Sequence, residues 1–182
     1  MSKIQNALLA WHDRWANKHR IIVLALIYPI FPVVLLPWVG DVGGAPILDL
    51  HLHYDAEVVR QVLLQYNASA LEHYRLCALT VDMVYPVYYA FLLSLVLAYL
   101  VKQGGETQSS MRLICVIPFL MMLVDWAENL TLVSIVNQWP NLDYQLANGA
   151  GFITLAKWLL LSVIVVLIIM LAFRNNRAGS KI

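Results

Sequence analysis

The stretch Asp125-Trp126-Ala127-Glu128-Asn129 interrupts an apolar run, residues 113–136, that is long enough to cross a bilayer, which takes about 20 residues. Carboxylates in the hydrocarbon region cost roughly 2.5 kcal/mol or more each, so they almost always face a bundle interior or a watered cavity. In a helix, Asp125, Glu128 and Asn129 stand at positions i, i+3 and i+4 and share one face. The stretch therefore predicts a membrane helix whose polar face is covered by other helices.

Two neighbouring apolar runs supply possible partners for that face, namely Asp82 before it and Lys157 after it. Counted at about 1.5 Å of rise per residue from the predicted outer ends of the runs, Asp82 and Lys157 lie roughly 9 Å deep. Glu128 and Asp125 lie at roughly 12 Å and 16 Å by the same rise. Because these depths are similar, we expect the four groups to form one cluster in the outer half of a bundle.

The composition agrees with a membrane location. Of the 182 residues, 61% are hydrophobic and 13% are charged, and the mean hydropathy is +0.70. Soluble domains are nearer half apolar and about a quarter charged. Hydropathy predicts four membrane-spanning helices, at residues 21–39, 76–101, 113–136 and 151–173. We therefore predict an all-α integral membrane protein, a four-helix bundle that forms a single domain over residues 1–182.

Basic residues are distributed unequally between the two sides of this predicted bundle. One side carries only Arg60 and Arg75. The other side carries a larger basic set, made up of Lys3, Arg14, Lys18, Arg20, Lys102, Arg112, Arg174, Arg177 and Lys181. The positive-inside rule then predicts cytoplasmic termini and an outer segment at 40–75. Asn67-Ala68-Ser69 matches a glycosylation acceptor, but nothing else in the sequence indicates a secretory-pathway host. The expected location is therefore the inner (plasma) membrane of a bacterium.

Ahead of the first span, apolar residues recur at the spacing of one helical face: Ile4, Leu8, Trp11 and Trp15. This pattern predicts an amphipathic helix over residues 3–19 on the cytoplasmic lipid surface, with its tryptophans at headgroup level. The alternative is a first span that begins early, which the polar residues 12–14 disfavour.

The outer segment 40–75 is expected to be ordered and to cover the outer mouth of the bundle. Asp55 is a plausible N-cap for a short helix with an apolar face. The pattern Ser69-Ala70-Leu71-Glu72 resembles a capping box and would begin the helix that leads into the second span.

Within that segment, Asp49, His51, His53 and Asp55 alternate with other residues. If the chain were extended here, the four side chains would project from one side, as zinc ligands do. No further ligand pattern accompanies them, so solvated loop histidines are the favoured interpretation, and we predict neither a metal ion nor a cofactor. Cys77 and Cys115 are predicted at opposite ends of the bundle, too far apart for a disulfide.

The charges in the predicted cluster do not balance. Three carboxylates and one ammonium leave two excess negative charges where unpaired charge is heavily penalised. Lys157 can neutralise one carboxylate, and the others must be protonated, hydrogen-bonded, hydrated or paired with a bound cation. A carboxyl held protonated can act as a general acid. The candidate catalytic residues are Asp82, Asp125, Glu128 and Lys157, and the candidate ligand-binding residues are Tyr85, Tyr89, Trp126 and Asn129.

Three functions are compatible with such a cluster. The first is binding or transformation of a membrane lipid or small lipid-like molecule, in a mostly apolar pocket with a few convergent polar groups. The second is proton- or cation-coupled transport, in which the acids titrate as a relay. The third is a structural or assembly subunit, in a homo-oligomer or a larger membrane complex, whose polar groups clamp helices together. No feature of the sequence supports nucleic-acid binding.

Overall fold

A computed structural model of the chain describes residues 14–105 and 113–179, with side chains described as far as residue 177. The fold is 82% helical, without strands in these ranges. Four segments are long and apolar enough to cross a membrane, and we refer to them as the first to fourth spans: Lys18–Val39, Ala68–Gln103, Leu113–Gln138 and Tyr144–Arg177. The prediction of an all-helical fold with four helices long and apolar enough to span a membrane is confirmed. The amphipathic helix expected over 3–19 lies mostly outside the described residues.

The first span combines an α-helix at Lys18–Ile27, a π-helical turn at Phe31–Leu35 and a short α-helix at Leu36–Val39. Its N-cap is Asn17, whose side chain accepts a hydrogen bond from the Arg20 backbone N–H at 3.0 Å. Prolines at 29 and 32 remove backbone donors, which interrupts the regular α-helical bonding and accounts for the change of helix type.

The N-cap of the second span is Asn67 and not Ser69, which the capping-box pattern had predicted. The Asn67 side chain accepts a hydrogen bond from the Ala70 N–H at 2.8 Å, and the helix runs over Ala68–Leu79. Asparagine is among the strongest N-caps, and here it takes the cap position ahead of the serine. A second helix, Val81–Gln103, follows after an irregular residue, Thr80.

The third span consists of a 3-10 turn at Leu113–Val116 and an α-helix at Ile117–Gln138. The fourth is a single helix, Tyr144–Gly179, which begins earlier than the predicted start at 151. Asp143 explains the difference, because its carboxylate accepts hydrogen bonds from the backbone N–H groups of Gln145 at 2.9 Å and Leu146 at 3.1 Å. This cap allows polar residues that were assigned to a turn to continue the helix.

The segment between the first and second spans is ordered, as predicted. It contains a 3-10 turn at Leu48–Leu50 and a helix at Ala56–Leu63. Asp55 is the N-cap of that helix, since its carboxylate accepts from the Val58 N–H at 2.9 Å. The alternation from Asp49 to Asp55 does not form a strand, because the 3-10 turn replaces extended backbone at its start.

Two apolar clusters form the core, one at each end of the bundle. The first joins the loop residues Leu48, Tyr54 and Leu63 to Leu132 and Ala150 of the third and fourth spans. The second, at the opposite end, packs the second, third and fourth spans around the buried residues Leu97, Cys115, Met121 and Ile164. Asp125 and Glu128 of the third span and Lys157 of the fourth lie between these clusters along their helices.

The two ends of the bundle are formed by different parts of the chain. The Asn175 side-chain amide donates to the Leu100 carbonyl at 2.8 Å, which brings the ends of the second and fourth spans together. Ala16, just before the first span, packs in the same cluster as Val101 and Leu171. The loop segment therefore occupies one end, and the chain enters and leaves the described bundle at the other. Neither Cys77 nor Cys115 forms a disulfide.

Candidate functional site

The site is centred on Lys157 of the fourth span. Its ammonium forms an ion pair with the Glu128 carboxylate and lies 4.0 Å from Asp125 Oδ1. All three residues are buried, and Glu128 has no exposed surface. Asp125 and Glu128 share one face of the third span, as their i, i+3 spacing requires. The predicted association of these three groups is thus present in the fold.

Hydroxyl groups from neighbouring spans also donate hydrogen bonds to the two carboxylates. Tyr89 of the second span donates its O–H to Asp125 Oδ2 at 2.7 Å. The Thr154 hydroxyl, one turn before Lys157, donates to Glu128 Oε1 at 2.5 Å. Because bonds to an ionised acceptor are short and strong, each carboxylate is held in a fixed position by a neighbouring span.

A loop residue extends this network. The Tyr54 hydroxyl lies 3.1 Å from Thr154 Oγ1, and both side chains are buried. Burial of the ring, which disfavours the charged form, raises the pKa of the Tyr54 phenol above its usual value. Tyr54 therefore stays neutral and links the ordered loop to Glu128 through Thr154.

Two of the predicted ligand-binding residues satisfy backbone groups of the second span. Pro86 has no amide hydrogen, so it cannot bond to the Asp82 carbonyl one turn earlier. Asn129 Nδ2 donates to that carbonyl at 2.9 Å. Trp126 Nε1 donates to the adjacent Met83 carbonyl, also at 2.9 Å. Neighbouring helices commonly satisfy a carbonyl that a proline frees, which gives Asn129 a structural role, and Trp126 adds a second hydrogen bond between the same two spans.

Two cavities adjoin this network. The larger has a volume of about 520 Å³ and the smaller about 210 Å³. Asp49 and Asp82 line both of them. The larger is also lined by apolar and aromatic residues from the first, second and fourth spans and by four further residues of the predicted site: Tyr85, Tyr89, Asp125 and Lys157. Asn129 lines the smaller cavity, and neither cavity is lined by Glu128.

Asp82 differs from the other two predicted carboxylates. It lines both cavities, but in the described part of the chain no ion pair joins it to Lys157. Tyr85, one turn further on, also lines the larger cavity, and its hydroxyl lies 2.6 Å from that of Tyr28 in the first span. The prediction that these residues share a site is consistent with the fold, although Lys157 pairs with the third span alone.

Sequence reasoning missed three site residues. Thr154 could have been found, because it stands at i−3 from Lys157 on the same helical face. Asp49 and Tyr54 could not, because each reaches the site through the folding of a long loop. Within residues 14–105 and 113–177, no three His, Cys, Asp or Glu side chains are grouped closely enough to hold a metal ion. The imidazoles of His51 and His53 instead lie 3.0 Å from the carbonyls of Ile47 and Gly151.

No protein-family model matches this chain, and neither the curated proteins nor the solved structures include a match to it. The chemistry of the site is therefore the basis for assigning a function.

Proposed function

We propose that this chain is an integral membrane protein that binds a small lipid-like molecule within its helical bundle. The observation that carries the proposal is the cavity of about 520 Å³, which Asp82, Asp125 and Lys157 line from three different spans. A mostly apolar cavity with a small number of convergent polar groups is the usual design of a small-molecule site.

The outward faces of the spans support a lipid environment. Leu26 of the first span is 74% exposed and Phe173 of the fourth is 63% exposed, and many other large apolar side chains are similarly exposed. Water would disfavour so extensive an apolar surface, whereas lipid accommodates it. With the charge asymmetry of the sequence, we place the loop end outside and both termini in the cytoplasm, in a bacterial inner membrane.

The first span supports entry of the ligand from the lipid. It packs mainly along the second span, and none of the residues in its most apolar window is buried. Tyr28 and Pro32 of the first span and Leu161 of the fourth line the larger cavity from different sides. A loosely packed first span next to the cavity provides a lateral route that a lipid-like molecule can use without passing through water.

We assign different roles to the three carboxylates of the predicted site. Asp82 and Asp125 contact the ligand, because both line the cavity. Glu128 does not, and its role is to hold the Lys157 ammonium in place together with Thr154. If the bound molecule is also transformed, Asp82 or Asp125 is the group positioned to exchange a proton with it.

Native mass spectrometry of the protein, purified from its host membrane in maltoside detergent, tests the proposal. We expect a small molecule to remain bound to the wild type. Leu161→Trp fills the cavity and should abolish that binding. Leu159→Trp adds the same ring to the exposed face of the same helix and should retain it. A wild type without a bound species, or equal occupancy in the two variants, would contradict a ligand site in this cavity.

A further inference from the structure

Within the described residues, two of the four carboxylates at the site have no cation to balance them. The Lys157 ammonium is shared between Glu128 and Asp125. Asp49 and Asp82 line both cavities, and no ion pair within the described ranges involves either of them. Lys157 is the sole cationic side chain among the described residues that line these cavities.

Asp49 is the less expected of the two. It lies in the 3-10 turn Leu48–Leu50, which brings it from the loop to the wall of the cavities. Its Oδ1 atom is buried, and no donor in the described part of the chain forms a hydrogen bond with it. A buried carboxylate oxygen without a donor is costly, so it requires an explanation, and a bound group that supplies the missing partner is one.

Aromatic rings in the cavity wall also favour a positive charge. Tyr85 and Tyr89 line the cavity with their rings 5.3 Å apart in an edge-to-face arrangement, and Trp158 lines it from the fourth span. Aromatic faces attract cations through the ring quadrupole, and aromatic cages are an established means of recognising quaternary ammonium groups.

We infer that the ligand is a cationic amphiphile, with a protonated amine or quaternary ammonium group placed between Asp49 and Asp82 and an apolar body in the larger cavity. This inference rests on the proposed function and specifies its ligand class. An anionic headgroup would meet two carboxyl groups that have no counter-ion among the described residues, and a neutral one would leave them to be protonated or hydrated instead. A cation removes that penalty, so charge is the feature by which the site selects.

The test compares three probes with the same ten-carbon chain: decyltrimethylammonium, N-decylacetamide and decanoate. Each is titrated into the full-length protein in maltoside detergent, with binding measured by isothermal titration calorimetry. We expect the cation to bind at least about tenfold more tightly than the neutral amide, and decanoate to bind least. All three probes could bind without preference for the cation, and Leu161→Trp could abolish that binding. This result would overturn the inference and leave the proposed function intact. Absence of binding by all three would overturn it as well, and the retained species in native mass spectrometry would then decide the proposed function.

Single substitutions locate the selectivity. Asp49→Asn and Asp82→Asn keep the side-chain shape and should each weaken binding of the cation about tenfold more than binding of the neutral amide. Glu72→Gln removes an equivalent charge from an exposed position on the second span and should change neither. Equal effects of Glu72→Gln and the two aspartate variants would mean that the preference arises from overall charge and would overturn the assigned site. Retained binding of the amide shows that a variant is folded, and if neither aspartate variant folds, the ranking of the three probes on the wild type decides the inference.

Discussion

The Lys157 ammonium forms a buried ion pair with Glu128, a carboxylate that has no exposed surface. The pair joins the third and fourth spans midway between the two apolar clusters of the core. Breaking a buried pair leaves an uncompensated charge, which costs much more than the net contribution of the intact pair. Lys157 is therefore the residue on which the integrity of the site depends most.

Lys157→Met should lower the free energy of unfolding by about 3–5 kcal/mol, because it leaves two carboxylates buried without a cation. Thermal unfolding in detergent measures the change. In double-mutant cycles, Glu128→Gln and Asp125→Asn should each recover part of the loss. Asp82→Asn should be additive with Lys157→Met within ~0.5 kcal/mol. Strong coupling to Asp82, or none to Glu128, would mean that Lys157 has other partners than those in the structure.

Gly151→Ala should detach the loop from the fourth span. A methyl group added at Gly151 would overlap the backbone carbonyl of Tyr54, which approaches the helix too closely for any side chain. We expect a loss of about 1–3 kcal/mol, typical of overpacking, together with faster proteolysis within residues 40–67. Gly149→Ala is the matched control, because nothing lies within 4 Å of its added methyl. It should stabilise the helix by up to about 1 kcal/mol, so shifts of the same sign in both variants would argue against the close approach.

Single cysteines at two exposed positions should react from opposite sides of the membrane. Gln65→Cys lies in the loop and Asn176→Cys lies near the end of the fourth span. In right-side-out vesicles, a membrane-impermeant maleimide should label Gln65→Cys, while Asn176→Cys should react only after the vesicles are opened. The buried native cysteines make the wild type the unlabelled control. The reverse pattern would invert the topology, and labelling of both from one side would exclude four crossings.

Stability should fall at high pH because of two loop tyrosines. Burial raises the pKa of Tyr54 and of Tyr66 above the usual value, so the folded loop keeps both phenols neutral. Their contribution to the free energy of unfolding is complete below the unfolded value of about 10 and is lost as the pH rises towards the higher folded values. Thermal midpoints between pH 8 and 11 should therefore decline less steeply in Tyr54→Phe than in the wild type. Tyr144→Phe, at an exposed position, should follow the wild type.

The sequence predicted the number and position of the spans because hydropathy and helical length are local properties. The third span, predicted at 113–136, runs over Leu113–Gln138, and the Asp55 cap was found for the same reason. Depth along the membrane axis also depends only on residue number and helical rise. The grouping of Asp125, Glu128 and Lys157 at one level was therefore accessible without a structure. Boundaries depended on competing caps, which is why Asn67 and Asp143 began helices where other positions had been predicted.

Only the tertiary structure decided which ionisable side chains at the same membrane depth contact one another. Whether Lys157 pairs with Glu128 or Asp82 depends on the rotation of each helix about its own axis, which is set by packing against residues distant in the chain. In the same way, the interaction of Asn129 with the carbonyl freed by Pro86 joins two spans. The position of Asp49 at the cavity depends on how the loop docks on the third and fourth spans. A residue's depth is fixed by its own helix, whereas its partners are fixed by non-local contacts, whose energies cannot be read from one segment alone.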